Sequence, residues 1–156
     1  MDRHVFMRYN SYKNLSELYE RTCEFQKAKD AYTQVSIQYN QRQALKIKAQ
    51  DALIWTRLGF LEYREFNNLG LAKKCLELAI ESYTTIQRRS AGICPILVKL
   101  AEIAFLEFDY IKSEQMADAI LQRTGEKGGE SEVFACLLKS FFLSLRGEEE
   151  KAKALL

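Results

Sequence analysis

Residues 12–35 read YKNLSELYERTCEFQKAKDAYTQV, and residues 55–79 read WTRLGFLEYREFNNLGLAKKCLELA. In the first stretch large residues stand at Tyr12, Leu15 and Tyr19 with a small one at Ser16, and Ala28, Tyr32 and Val35 follow. The second repeats this order with Trp55, Leu58 and Gly59, then Tyr63, Ala72, Leu76 and Ala79, the last four each displaced by one residue. Spacings of three and four gather such residues on one face of a helix. Each stretch therefore predicts two amphipathic helices joined by a short turn, the second turn slightly longer than the first.

A weaker third copy runs through Leu97, Leu100, Ala101, Ala104, Ser113, Ala117 and Ile120, so that Leu15, Leu58 and Leu100 recur at intervals of 43 and 42 residues. Beyond Glu130, Val133, Phe134, Leu137, Leu138, Phe141 and Phe142 are followed by Gly147, Lys151, Ala152 and Leu156, the start of a fourth pair. Period-two alternation is not sustained anywhere, and Pro95 is the sole proline beside seven glycines, so the whole chain reads as helical. Breaks are expected near Thr22 to Glu24, Asn40 to Gln43, Asn67 to Gly70, Arg88 to Pro95, Phe108 to Tyr110, Thr124 to Glu130 and Gly147. Asn68 suits a helix cap and Pro95 a first helical turn, where its missing N–H is not needed. Met1 to Met7 read as a remnant of a preceding helix or a short frayed lead.

Residues 10 to 120 resemble the tetratricopeptide repeat superfamily, which places W-x2-L-G-x2-Y on a first helix and A-x3-F on a second. The resemblance implies an all-α fold, a right-handed solenoid of antiparallel helix pairs. It implies a single domain over residues 1–156, with repeats at about 8–40, 50–87 and 93–123 and a partial one at 131–156, belonging to a longer array. One pair cannot bury its own apolar face, so neighbours must stack. The interval near 42 is similar to that of repeats in kinesin light chains and cortical polarity adaptors, and Asn14 to Tyr32 is similar to repeats of nuclear transcription and histone-chaperone scaffolds.

The implied work is that of an adaptor whose concave groove, lined by the first helix of each pair, holds a segment of a partner protein. By register the groove takes Lys13, Asn14, Glu17 and Arg21 from the first pair, Thr56, Arg57, Phe60 and Arg64 from the second, and Lys99 and Glu102 from the third. Asn10, Glu20, Leu53 and Val98 stand beside them, while Phe105 and Leu106 either floor the groove or pack on the next helix. The superfamily's carboxylate clamp for chaperone tails is not expected. Lys13 matches it, but Glu17 and Arg57 replace its asparagines and Pro95 its lysine, with Lys99 at the arginine position.

Composition excludes several other classes. With 23 basic and 21 acidic side chains no sequence-wide field draws in nucleic acid, and Asn14, Arg57 and Lys99 offer no shared base-reading code. Arg88 and Arg89 with Lys73 and Lys74 are basic, but Glu77 and Glu81 intervene. Cys23, Cys75, Cys94 and Cys136 lie far apart with His4 the sole imidazole, so they are expected to be free, small buried hydrophobes and not metal ligands. No nucleophile, metalloprotease, P-loop or dinucleotide motif is present, and Glu62, Glu65 and Glu148 to Glu150 read as solvated surface. Neither enzyme activity nor a cofactor nor a small-molecule substrate is expected. No apolar run reaches membrane-spanning length and no secretory signal opens the chain, which places it inside the cell, in the cytoplasm or the nucleus. The alternatives are a nucleic-acid-associated helical repeat protein, or a self-assembling subunit of a larger complex that associates through Phe141, Phe142, Leu155 and Leu156.

Overall fold

A computed structural model describes residues 3–40, 48–85, 92–123 and 129–156, with side chains from 10–35, 52–84, 92–123 and 129–156. All regular structure among them is helical: α1 (Arg3–Arg21), α2 (Phe25–Asn40), α3 (Lys48–Arg64), α4 (Leu69–Thr85), α5 (Ile93–Leu106), α6 (Tyr110–Arg123), α7 (Glu130–Leu145) and the short α8 (Glu149–Lys153). The expected breaks at Thr22, Asn67, Phe108 and Gly147 are where helices end. Those after Asn40, Arg88 and Thr124 fall in part on residues 41–47, 86–91 and 124–128, outside the described residues. Helix α1 already includes Met7, and the His4 side chain lies outside the description.

The residues form two compact units, Met1–Gln87 and Arg88–Leu156. In the first, α1 packs on α2, α2 on α3 and α3 on α4; in the second, α5 packs on α6, and α7 on α5, α6 and α8.

The same backbone frame closes all four helix–turn–helix pairs. Cys23, Asn67, Phe108 and Gly147 each take a left-handed conformation, with φ of 58°, 49°, 61° and 77°. The N–H of the following residue then donates to a carbonyl of the last helical turn: Glu24 to Tyr19, Asn68 to Glu62, Asp109 to Ala104 and Glu148 to Leu143, at 2.8, 2.9, 2.8 and 3.0 Å. This bond satisfies carbonyls that a helix end leaves orphaned. Four residues on, the N–H groups of Ala28, Ala72, Ser113 and Ala152 donate to the carbonyls of Glu24, Asn68, Asp109 and Glu148, opening the second helix. Asn68 Oδ1 accepts from the Leu71 N–H at 3.2 Å, the cap read from the sequence, and Asp109 Oδ1 accepts from Lys112 N–H at 3.1 Å. Pro95 sits in the first turn of α5.

This frame corrects the second pair. Its turn does hold one extra residue, but the insertion follows Glu62, because α3 runs unbroken through Arg64. Glu62, not Tyr63, is therefore the counterpart of Tyr19, Ala104 and Leu143. Small buried residues recur in every pair: Ser16, Gly59, Ala101 and Ser140 on the first helix, Ala28, Ala72, Ser113 and Ala152 on the second. The Ser113 hydroxyl donates to the Ala101 carbonyl at 2.9 Å and the Ser140 hydroxyl to that of Ala152 at 3.2 Å, so both buried hydroxyls are satisfied across a pair.

In the first unit Ala28, Tyr32, Val35, Ile54, Leu58, Leu61 and Cys75 form one core, with Tyr12, Tyr19, Trp55 and Phe66 against it. In the second, Ile96, Leu97, Leu100, Ile103, Ala117, Ile120, Ala135 and Leu143 are buried. Leu15, expected at the core position of Leu58 and Leu100, is instead exposed, as is Leu18. The large side chains of α2 lie with the α3 core, and α1 presents these two leucines to water.

Candidate functional site

Of the residues assigned to the groove, those of the first unit form a ladder of paired charges on α1 and α3. Lys13 lies 3.9 Å from Glu17, one turn along α1. Arg57, from α3, reaches across to Glu20 of α1 at 3.3 Å, and the Tyr32 hydroxyl donates to the same carboxylate oxygen at 3.2 Å. Asn14 and Arg21 are exposed, Phe60 is half-buried, and Thr56 turns its hydroxyl back to the Ala52 carbonyl at 2.6 Å. Arg64 pairs with its neighbour Glu65 at 3.0 Å. In the second unit Lys99 pairs with Glu102 at 2.7 Å. Lys13 with Glu17 and Lys99 with Glu102 are thus each brought together, while Asn14 and Arg21 show no such pairing among the described residues.

The second unit adds an apolar surface that sequence reasoning only grazed. Phe105 packs on Phe141 and Phe142 of α7, with centroids at 5.8 and 6.2 Å, so it fills the gap to the next first helix. Leu106 beside it remains exposed. Helix α7 exposes Val133, Leu137 and Phe141 at intervals of four residues, a stripe along one face, and Leu145 continues it. Counting the first-helix register on into the fourth pair, from Ala101 to Ser140, would have found them. Phe142, expected at an exposed end, is buried, and Leu155 is half-buried; Leu156 is exposed as expected.

A buried acid contradicts the surface reading of Glu62. Its side chain is fully enclosed, with Lys29 Nζ of α2 2.7 Å from Oε1. The ammonium lies off the direction of a well-formed hydrogen bond, so neither carboxylate oxygen has a directed donor. Lys29 also sits over the Phe66 ring, 4.6 Å from its centroid, which holds the cation at this point. Burial, reinforced by the Glu62 charge, pushes the neighbouring Cys75 thiol up to about 11. Cys75 is the one buried cysteine; Cys23 is exposed in its turn and Cys94 and Cys136 are half-buried, against the expectation for all four. Glu65, Glu149 and Glu150 are exposed as read.

Among the described residues no cluster of His, Cys, Asp and Glu could hold a metal ion, and no helix is long and apolar enough to cross a membrane. No protein-family model matches the chain, and no curated protein matches it in sequence. Among solved structures it is similar to the crystal structure of BtubC (BKLC) from P. vanneervenii, with a TM-score of 0.72 and 18% identity over 95% of this chain. At that identity the likeness is one of fold. The chain spans 60% of that protein's length.

Proposed function

We propose that the chain is a tetratricopeptide-type scaffold inside the cell, a right-handed stack of antiparallel helix pairs whose first helices line a concave groove for a segment of a partner protein. It acts by binding and carries out no catalysis. The observation that supports this reading is the fourfold recurrence of one frame: a left-handed turn residue, a capping N–H and a small buried residue on each helix, at Ser16 and Ala28, Gly59 and Ala72, Ala101 and Ser113, Ser140 and Ala152. Stacked repeats are the architecture in which such units shield each other's apolar faces and leave an extended concave surface.

The contacts are Lys13, Asn14, Glu17, Arg57 and Phe60 on the first helices of the first unit, and Lys99 on that of the second. Their charges are already paired within the chain, but these pairs are partly exposed and worth at most about 1 kcal/mol each. An incoming segment of mixed charge exchanges them at little cost, and half-buried Phe60 supplies an apolar anchor. Changing Arg57 and Lys99 together to glutamate tests this. The variant should melt like the parent yet retain no partner in affinity purification; full retention of the same partner contradicts the groove.

A further inference from the structure

We infer that the aromatic edge of the second unit is a two-fold contact surface for another copy of this chain. Phe108, Tyr110, Phe105 and Phe141 form a continuous chain of ring contacts, with successive centroids 6.3, 5.3 and 5.8 Å apart, which joins the α5–α6 turn to α7. Around it Phe108 is 77% exposed, Ile111 75%, Leu145 68% and Leu106 53%, with Tyr110 and Phe141 also exposed. The surface is held ready: Arg146, at the end of α7, grips Glu114 in the first turns of α6 with two hydrogen bonds of 2.5 and 3.0 Å.

Phe108 is the informative residue. It occupies the left-handed turn position where the other pairs carry Cys23, Asn67 and Gly147. An aromatic side chain is costly in that conformation, and this one buries little in return within the unit. A ring displayed at such a cost has its use outside the monomer.

The area fits one occupant. Taking roughly 200 Å² for a fully exposed side chain of this size, these six leave on the order of 700 Å² of largely apolar surface in water. Monomers rarely display that much in one patch, while each partner of a standard interface contributes about 800 Å².

Sedimentation equilibrium of residues 1–156 from micromolar to sub-millimolar concentration tests the inference. The expected result is a reversible dimer whose dissociation constant rises at least about tenfold in both Phe108→Gly and Leu145→Lys, as for central anchors of an interface. Glycine relieves the left-handed strain, so Phe108→Gly should melt no lower than the parent at dilutions where both are monomeric, which separates lost association from lost folding. A monomer mass throughout, or a dimer that both substitutions leave unchanged, overturns it. The dimer should survive the Arg57→Glu, Lys99→Glu change, so this contact and the partner groove fail separately.

Discussion

Gly59 lies so close to Leu76 that a Cβ placed on it would come within 2.7 Å of Leu76 Cδ2 and 3.3 Å of the Ala72 carbonyl oxygen. Leu76 is fully buried and has little room to give. Gly59→Ala should therefore destabilise the first unit by about 1–2 kcal/mol: overpacking costs about 1–3 kcal/mol and the better helix propensity of alanine returns up to about 1. Urea unfolding followed by Trp55 fluorescence measures it, since the sole tryptophan packs on the same core. At the equivalent position Ala101 already carries a Cβ, so Ala101→Gly should cost only about the propensity difference, on the order of 1 kcal/mol.

Lys29 and Glu62 should respond asymmetrically to substitution. Lys29→Met leaves a fully enclosed carboxylate without its cation and should cost about 3 kcal/mol. Glu62→Leu removes the buried charge, places the residue found at the equivalent Leu143, and frees the partly exposed Lys29 to turn toward water. It should be neutral or stabilising by about 1 kcal/mol, and the double variant should resemble it. Denaturant midpoints of the four chains form the cycle; equal losses for the two single changes would show that the pair stabilises the fold in its own right.

Alkaline pH should weaken the first unit. As pH rises through about 9 the unfolded chain's thiol ionises, while folded Cys75 keeps its proton until about 11. The folded state then binds more protons than the unfolded one, so stability falls across this window and levels off above it. Burial and the Glu20 charge likewise push the Tyr32 phenol above its ordinary range, extending the fall to higher pH. Cys75→Ala should flatten the first part of the profile. By the same burial, a thiol reagent at neutral pH should modify exposed Cys23 quickly and Cys75 only on unfolding.

The helix pairs were legible because their markers are local. Asn68 caps α4, Pro95 fits the first turn of α5, and Gly147 takes the left-handed turn between α7 and α8. Small residues at fixed spacing exposed the register of three pairs. Glu62 was misread because a carboxylate scores as surface and its cation stands on another helix, at Lys29, beyond the reach of local periodicity. Counting strictly from Trp55 along an unbroken helix would have placed it in the core and the extra residue in the turn. Ser140, the small buried residue of the fourth pair, is less legible because it follows Ala101 by 39 residues, against the 43 and 42 that separate Ser16, Gly59 and Ala101. The charges of the candidate groove were legible as residues but not as the pairs they form, since Arg57 meets Glu20 from a different helix.

The central claim, that a partner protein lies along the first helices, is tested most directly by replacing Phe60 of α3 with a photo-reactive benzoyl-phenylalanine in cells. The matching control places it at Leu78, an exposed residue of the second helix α4. Illumination should attach one defined protein through position 60 and none through position 78. Attachment through position 78 with none through position 60 would contradict it.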